Sequence, residues 1–194
     1  GDYIMPYVGQ TITDVFPTSI NVDTATIATA NISNQLTDAN MSAGSVLQVQ
    51  VGSINDIYSS TSTSFADVTG FNVSITPTSS SSTILVSFST VAGNTQPSRP
   101  SRFRVIRTIS GGSAVHVGVG ATDGDSFSGT RTVYDNVAET AHQVHWQGVD
   151  SPSTTSATVY KIMAATGGGT LKVNNRHNDD MSQTSTITVM EIAG

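Results

Sequence analysis

The chain contains no cysteine, which excludes a disulfide framework and a thiolate metal site. Charge is scarce as well, at 11% of residues, too little to clothe surface helices in ion pairs. Basic residues are the scarcer sign, 8 Lys and Arg against 14 Asp and Glu, for a formal net charge of −6. Neutralising a phosphate backbone takes clustered Lys and Arg, so nucleic acid is not an expected partner. No run of about eighteen apolar residues occurs, and the front of the chain lacks a basic segment followed by an apolar one. Neither membrane insertion nor a secretory signal is therefore expected.

Ser, Thr, Gly, Asn and Val fill the chain instead, a composition suited to short strands with hydroxyl-rich outer faces. From Val46 onward, apolar and polar residues alternate in short runs broken by turn residues, the pattern of a sandwich or barrel. Leu47, Val49 and Val51 alternate with Gln48 and Gln50, and Phe71, Val73 and Ile75 with Asn72 and Ser74. Ile84, Val86 and Phe88 follow a serine turn at 79–82; Phe103 with Val105, and Val115, Val117 and Val119, come next. Further runs cover 130–134, 144–149, 158–164, 171–174 and 186–192. Pro152, which cannot donate to a ladder, sits in the polar turn that leads into the run at 158–164. About ten strands is the count of a double-sheet jelly roll. The expected fold is all-β, an antiparallel jelly-roll-like β-sandwich over 46–194 preceded by an extended stalk and anchor.

Residues 20–45 follow a different rule. Val22, Ile27 and Ile32 recur every five residues, with Ala25 and Ala30 between them. That spacing is neither helical nor strand-like, so one copy cannot bury its aliphatics. Three copies wound around one axis can, which makes this segment a candidate trimer stalk; the alternative is a flexible linker with coincidental spacing. Residues 1–19 include Tyr3, Ile4, Tyr7, Val8, Val15 and Phe16, too apolar for a free tail and too short to build a core. They are expected to anchor the chain to another protein.

Chemistry-bearing patterns are thin. His142 and His145 lie three apart in a strand run, hence on opposite faces, and His177 sits in a polar loop. Asp123 and Asp125 flank Gly124 as the start of a calcium loop does, but the remaining oxygen ligands and closing Glu do not follow. Asp135 and Glu139 are the nearest approach to the carboxylate pair of a glycoside hydrolase. No nucleophile elbow, phosphate-cradling loop or HExxH motif occurs, and Gly167-Gly168-Gly169 reads as a hairpin turn. No catalytic residue, metal or cofactor is expected. Four of the eight basic residues cluster at Arg99, Arg102, Arg104 and Arg107. Arg102 and Arg104 share one strand face, with Phe103 and Val105 on the other. Salt bridging within the chain or across a subunit interface competes with a solvated face and with capture of an acidic glycan. Trp146 reads as core or interface, against a sugar-stacking platform. Glu191, between Met190 and Ile192, needs a partner if buried, and an arginine from the same or a neighbouring chain is the expected one.

Several blocks together resemble bacteriophage tail-fibre and virion-fibre proteins, whose β-rich C-terminal domain is common in marine phages. These are Gly44–Val49, Ser62–Phe65, Val68–Ser82, Thr83–Val86, Asp150–Tyr160 and Thr186–Ile192, in that order, with Tyr7-Val8-Gly9 resembling a fibre start. The resemblance covers 43–194 and brings no catalytic residues with it. It implies a homotrimer of β-rich domains, similar in layout to C1q and tumour-necrosis-factor jelly rolls, attached to another virion protein through residues 1–19 and contacting a host surface glycan or receptor. The short front segment fits a short spike, head fibre or decoration protein better than a long leg. A capsid decoration role and a carbohydrate-active enzyme are the rival classes.

Overall fold

Alternation of β-branched and aromatic residues with Ser, Thr and Gln produces strands because each face of a pleated ribbon meets a different environment. The computed structural model describes residues 41–119, 129–134, 136–138, 140–175 and 183–194. The stalk residues Val22, Ile27 and Ile32, the 1–19 anchor, Asp123, Asp125, Asp135, Glu139 and His177 lie outside the described residues. Contacts divide the chain into Gly1–Gln35 and Leu36–Gly194; the account below concerns the second unit. Its strands are β1 (Val46–Ile54), β2 (Tyr58–Ser60), β3 (Ala66–Ile75), β4 (Thr83–Asn94), β5 (Ser101–Ile109), β6 (Ala114–Val117), β7 (Arg131–Val133), β8 (Ala141–Asp150), β9 (Thr158–Thr166), β10 (Leu171–Val173) and β11 (Ser185–Ile192).

These strands make two antiparallel sheets. In the first, β1 pairs with β11, β11 with β4 and β4 with β8. At 12 residues β4 is long enough to take β11 along one part of an edge and β10 further along, and β2 extends β10. In the second sheet β3 pairs with β9 and β9 with β5, while β6 and β7 pair with different parts of β5. The long strands β1, β3, β4, β5, β8, β9 and β11 alternate between sheets in chain order, so the chain wraps both layers as a jelly roll.

Inward residues of both sheets meet in one core. Phe71 and Phe88 pack edge to face at 6.3 Å and Phe103 lies 6.2 Å from Phe88. Half-buried Trp146 stacks on Phe88 at 6.5 Å, which places the indole against the core. Only β2 had no counterpart among the expected strands. Gly167-Gly168-Gly169 is not the hairpin turn expected: β9 is committed between β3 and β5 and β10 to the edge of β4, so the glycines carry the chain from one sheet to the other. Gly168 and Gly169 take φ of 147° and 68° there, a region glycine enters without a Cβ penalty. Asn94 Nδ2 donates to Thr166 Oγ1 at 2.9 Å and to the Gly168 carbonyl at 3.2 Å, fixing the crossover.

Two carboxylates face inward in one register row of the first sheet, which runs Gln48, Glu191, Ile84, Asp150. Asp150 receives both of its bonds to Arg107 Nη1, at 2.8 and 2.9 Å, and a third from the Tyr160 hydroxyl at 2.7 Å. Burial and the bond to Asp150 push the Tyr160 phenol far above its ordinary range. Arg107 and Tyr160 belong to the second sheet, so this cluster pins one sheet to the other. Glu191 is met by neutral donors and, among the described residues, by no arginine of this chain. Its Oε1 accepts from the Thr78 amide at 2.7 Å and hydroxyl at 2.8 Å, and its Oε2 from Gln48 Nε2 at 2.6 Å. Burial pushes this carboxyl up, but the donors Gln48 and Thr78 outweigh it and hold it below the usual carboxylate value. Neutral donors in number replace the single cation.

Candidate interaction surfaces

The four arginines do not converge. Arg107 shares the parity of Phe103 and Val105 and turns inward to Asp150. Arg99 lies in the β4–β5 connection, its Cδ beside Gly168. Arg102 and Arg104 stand on the outer face of the second sheet, where β5 lies between β9 and the β6–β7 edge. His142 and His145 occupy opposite faces of β8, as their spacing requires. Among the described residues no group of three or more His, Cys, Asp or Glu is placed to hold a metal.

Arg104 forms part of a cleft of about 500 Å³, with Thr63, Ser64, Phe65, Ile106, Ala114, His116 and Met163 around it. The guanidinium carbon sits 3.8 Å from the Phe65 ring centroid, within cation–π range. Arg104 Nη1 is 3.4 Å from His116 Nε2. Register dictates the meeting: Ile106 pairs with His116 across β5 and β6, and Arg104 pairs with Met163 across β5 and β9. Ile106, almost fully buried, closes the floor. Phe65 arrives from the β2–β3 connection, where Ser62 Oγ donates to the Ser64 carbonyl at 2.6 Å and accepts from its amide at 3.2 Å. The Ser62 carbonyl accepts from the Thr166 amide at 2.9 Å, tying this loop to β9. Desolvation lowers the pKa of both Arg104 and His116, and the guanidinium lowers His116 further, which favours a neutral imidazole able to accept at Nε2. The sequence marked Arg104; Phe65 and His116 became its neighbours only through strand pairing. A second hollow, about 330 Å³ beside Met41, Leu47, Thr78 and Ser82, has no ring or cation on its wall.

The outer faces of the two sheets differ in kind. On the second, Asp67, Lys161, Arg102 and Arg104 all face outward, and Lys161 donates to Asp67 Oδ2 at 2.7 Å. On the first, register aligns Val49, Met190, Leu85 and Val149 in one row across β1, β11, β4 and β8. The next row is Val51, Thr188, Ser87 and Gln147, and the next Ser53, Thr186, Ser89 and His145. None of these positions is Asp, Glu, Lys or Arg. Val51 and Val149 are 61% and 63% exposed. Lys172 of β10, paired with Gly93, is a charge further along the same face; the area over β1, β11, β4 and β8 carries none and has an apolar row across four strands, a composition found where protein surfaces meet.

No family model and no curated protein matches this chain. Solved structures give distant likenesses. A chain in the structure of infectious bursal disease virus strain Gx is 14% identical with a TM-score of 0.39, the match covering 92% of this chain and 43% of that one. Strain Gt gives 14% identity and a TM-score of 0.40 over 94% and 44%. This chain thus spans less than half the length of those viral chains. The CBM22-1 xylan-binding domain from Paenibacillus barcinonensis is 12% identical with a TM-score of 0.33, over 79% of this chain and 99% of that domain.

Proposed function

We propose that this chain is a structural, non-catalytic component of a bacteriophage virion, a homotrimeric jelly roll of a short fibre or spike that takes part in host-surface attachment. The observation that carries the reading is the division of charge between the two outer faces. Burying charges between copies costs desolvation, and the outward positions of β1, β11, β4 and β8 impose no such cost. The resemblance of the ordered sequence blocks to virion fibres favours three copies, as does the Val22, Ile27 and Ile32 spacing.

Magnitudes assign a role to the front segment. Fully burying a large aliphatic side chain is worth roughly 1.5–3 kcal/mol, and Leu85 and Met190 are already half-buried. The row across the face therefore contributes a few kcal/mol per copy, of the same order as the roughly 4–15 kcal/mol cost of association. The sandwich face alone holds sister copies weakly; the stalk at 20–45 supplies the rest, and residues 1–19 join the assembly to another virion protein. Sedimentation velocity on the full chain at micromolar concentration tests this, with a trimer expected. A single stable subunit at that concentration would overturn it.

A further inference from the structure

We propose that the cleft between Phe65, Arg104 and His116 is a binding site for an acidic saccharide, whose carboxylate meets the Arg104 guanidinium. This deepens the attachment part of the reading above and is independent of the number of copies. A ligand site is a concavity of a few hundred Å³ with mostly apolar walls and a few placed polar groups. The cleft has about 500 Å³, an apolar floor and side from Ile106, Ala114 and Met163, and polar groups from Thr63, Ser64, Arg104 and His116.

Three features make the class of ligand specific. The guanidinium is held in place before any ligand arrives, over the Phe65 ring at 3.8 Å and beside His116 Nε2 at 3.4 Å. A planar fork so fixed matches a carboxylate and loses little freedom on binding it. The loop bearing Thr63 and Ser64 is tied by the Ser62 hydroxyl and by the Thr166 amide, placing side-chain hydroxyls where sugar hydroxyls find partners, while Ile106 and Met163 suit the apolar face of a pyranose. The net charge of −6 opposes a long polyanion such as nucleic acid, whereas a short acidic glycan brings a single carboxylate to the single guanidinium of the cleft. Arg104 and His116 are also among the few groups whose protonation the fold shifts, as is common where a ligand is recognised.

Isothermal titration calorimetry on the full chain with trigalacturonic acid and sialyllactose as acidic probes, and galactotriose as the neutral one, tests the site. At least one acidic probe should give saturable binding, with the neutral trisaccharide at least about tenfold weaker, since a charged hydrogen bond is worth about tenfold or more in affinity. Arg104→Gln should lose about tenfold or more, Arg104→Lys less, because a point charge keeps attraction without the fork. Phe65→Leu, which leaves the charge in place, should also weaken binding and gives a second variant should Arg104→Gln not fold. Lys161→Gln, on the same sheet face outside the cleft, should bind as the parent does. No binding of either acid, equal binding of acid and neutral sugar, or undiminished binding by both Arg104→Gln and Phe65→Leu would overturn the proposal. Sedimentation of the same samples separates the two readings: a monomer that binds acidic sugar sinks the trimer alone, and a trimer that does not bind sinks this site alone.

Discussion

At the scale of single residues, Glu191 shows how the sandwich accommodates a buried charge without a cation. Its oxygens accept from two side chains and two backbone amides brought from distant parts of the chain, and the sum keeps the folded carboxyl below the ordinary value of 4.5. A group whose folded pKa is lowered leaves the unfolded chain holding more protons, so its stabilisation is complete above the ordinary value and is lost as pH falls through the folded one. Urea midpoints of the parent protein should therefore drop as the pH falls below about 4.5. Glu191→Gln presents an amide where Gln48 or Thr78 donates, so it should cost about 1–3 kcal/mol at neutral pH and flatten the acid slope. A variant keeping the parent's full slope would show that other carboxylates carry it. The inward position of Glu191 follows from its shared parity with Ile187 and Val189, while its apolar neighbours Met190 and Ile192 point the other way. Its donors were not legible, because Gln48 lies 143 positions away and Thr78 113, and no local pattern records such a meeting. Arg107 was more legible than its cluster suggested: its parity with Val105 already separated it from Arg102 and Arg104.

At the scale of elements, period-two alternation was sufficient for the long strands, since each has one face in the core and one outside it. It was silent for β2, whose 3 residues are too few to show a period. It also could not tell a turn within one sheet from a crossing between sheets, because both use glycine, and so misplaced Gly167-Gly168-Gly169. Close approaches are equally hidden until strands are stacked. The Trp146 ring lies over two glycines: a Cβ on Gly148 would stand 2.3 Å from its Cζ2 and one on Gly118 2.1 Å, with Gly118 also at φ +64°. Gly148 is thus a packing requirement of the indole. Gly148→Ala should cost about 1–3 kcal/mol by overpacking and shift the indole emission to longer wavelength as the ring leaves Phe88. Joining it to Trp146→Leu should cost less than the two single changes summed, since the obstacle has gone. Additive costs in urea melts would break the link between this glycine and the ring.

At the scale of the whole molecule, the defining property is an asymmetry that no strand shows by itself. The uncharged area of the first sheet is assembled from segments at 46–54, 83–94, 141–150 and 185–192, and each of these alternates apolar with polar residues as any sandwich strand does. Only the register that sets Val49, Met190, Leu85 and Val149 in line turns scattered exposed aliphatics into a row. Lysines at its two ends make the sharpest probe, because Val49 and Val149 are 47% and 63% exposed and surface changes of this kind alter folding stability by no more than about 0.5 kcal/mol. In a trimer built on this face, Val49→Lys with Val149→Lys brings like charges from each copy together, and like-charge juxtaposition across an interface costs several kcal/mol. Since the row itself is worth only a few kcal/mol per copy, the pair should release monomers, or trimers held by the front segment alone, with weakened association in sedimentation equilibrium. Lysines at Asn72 and Ser74, on the outer face of the charged sheet, should leave association unchanged. If both pairs behave alike, the uncharged area of the first sheet is not where copies meet.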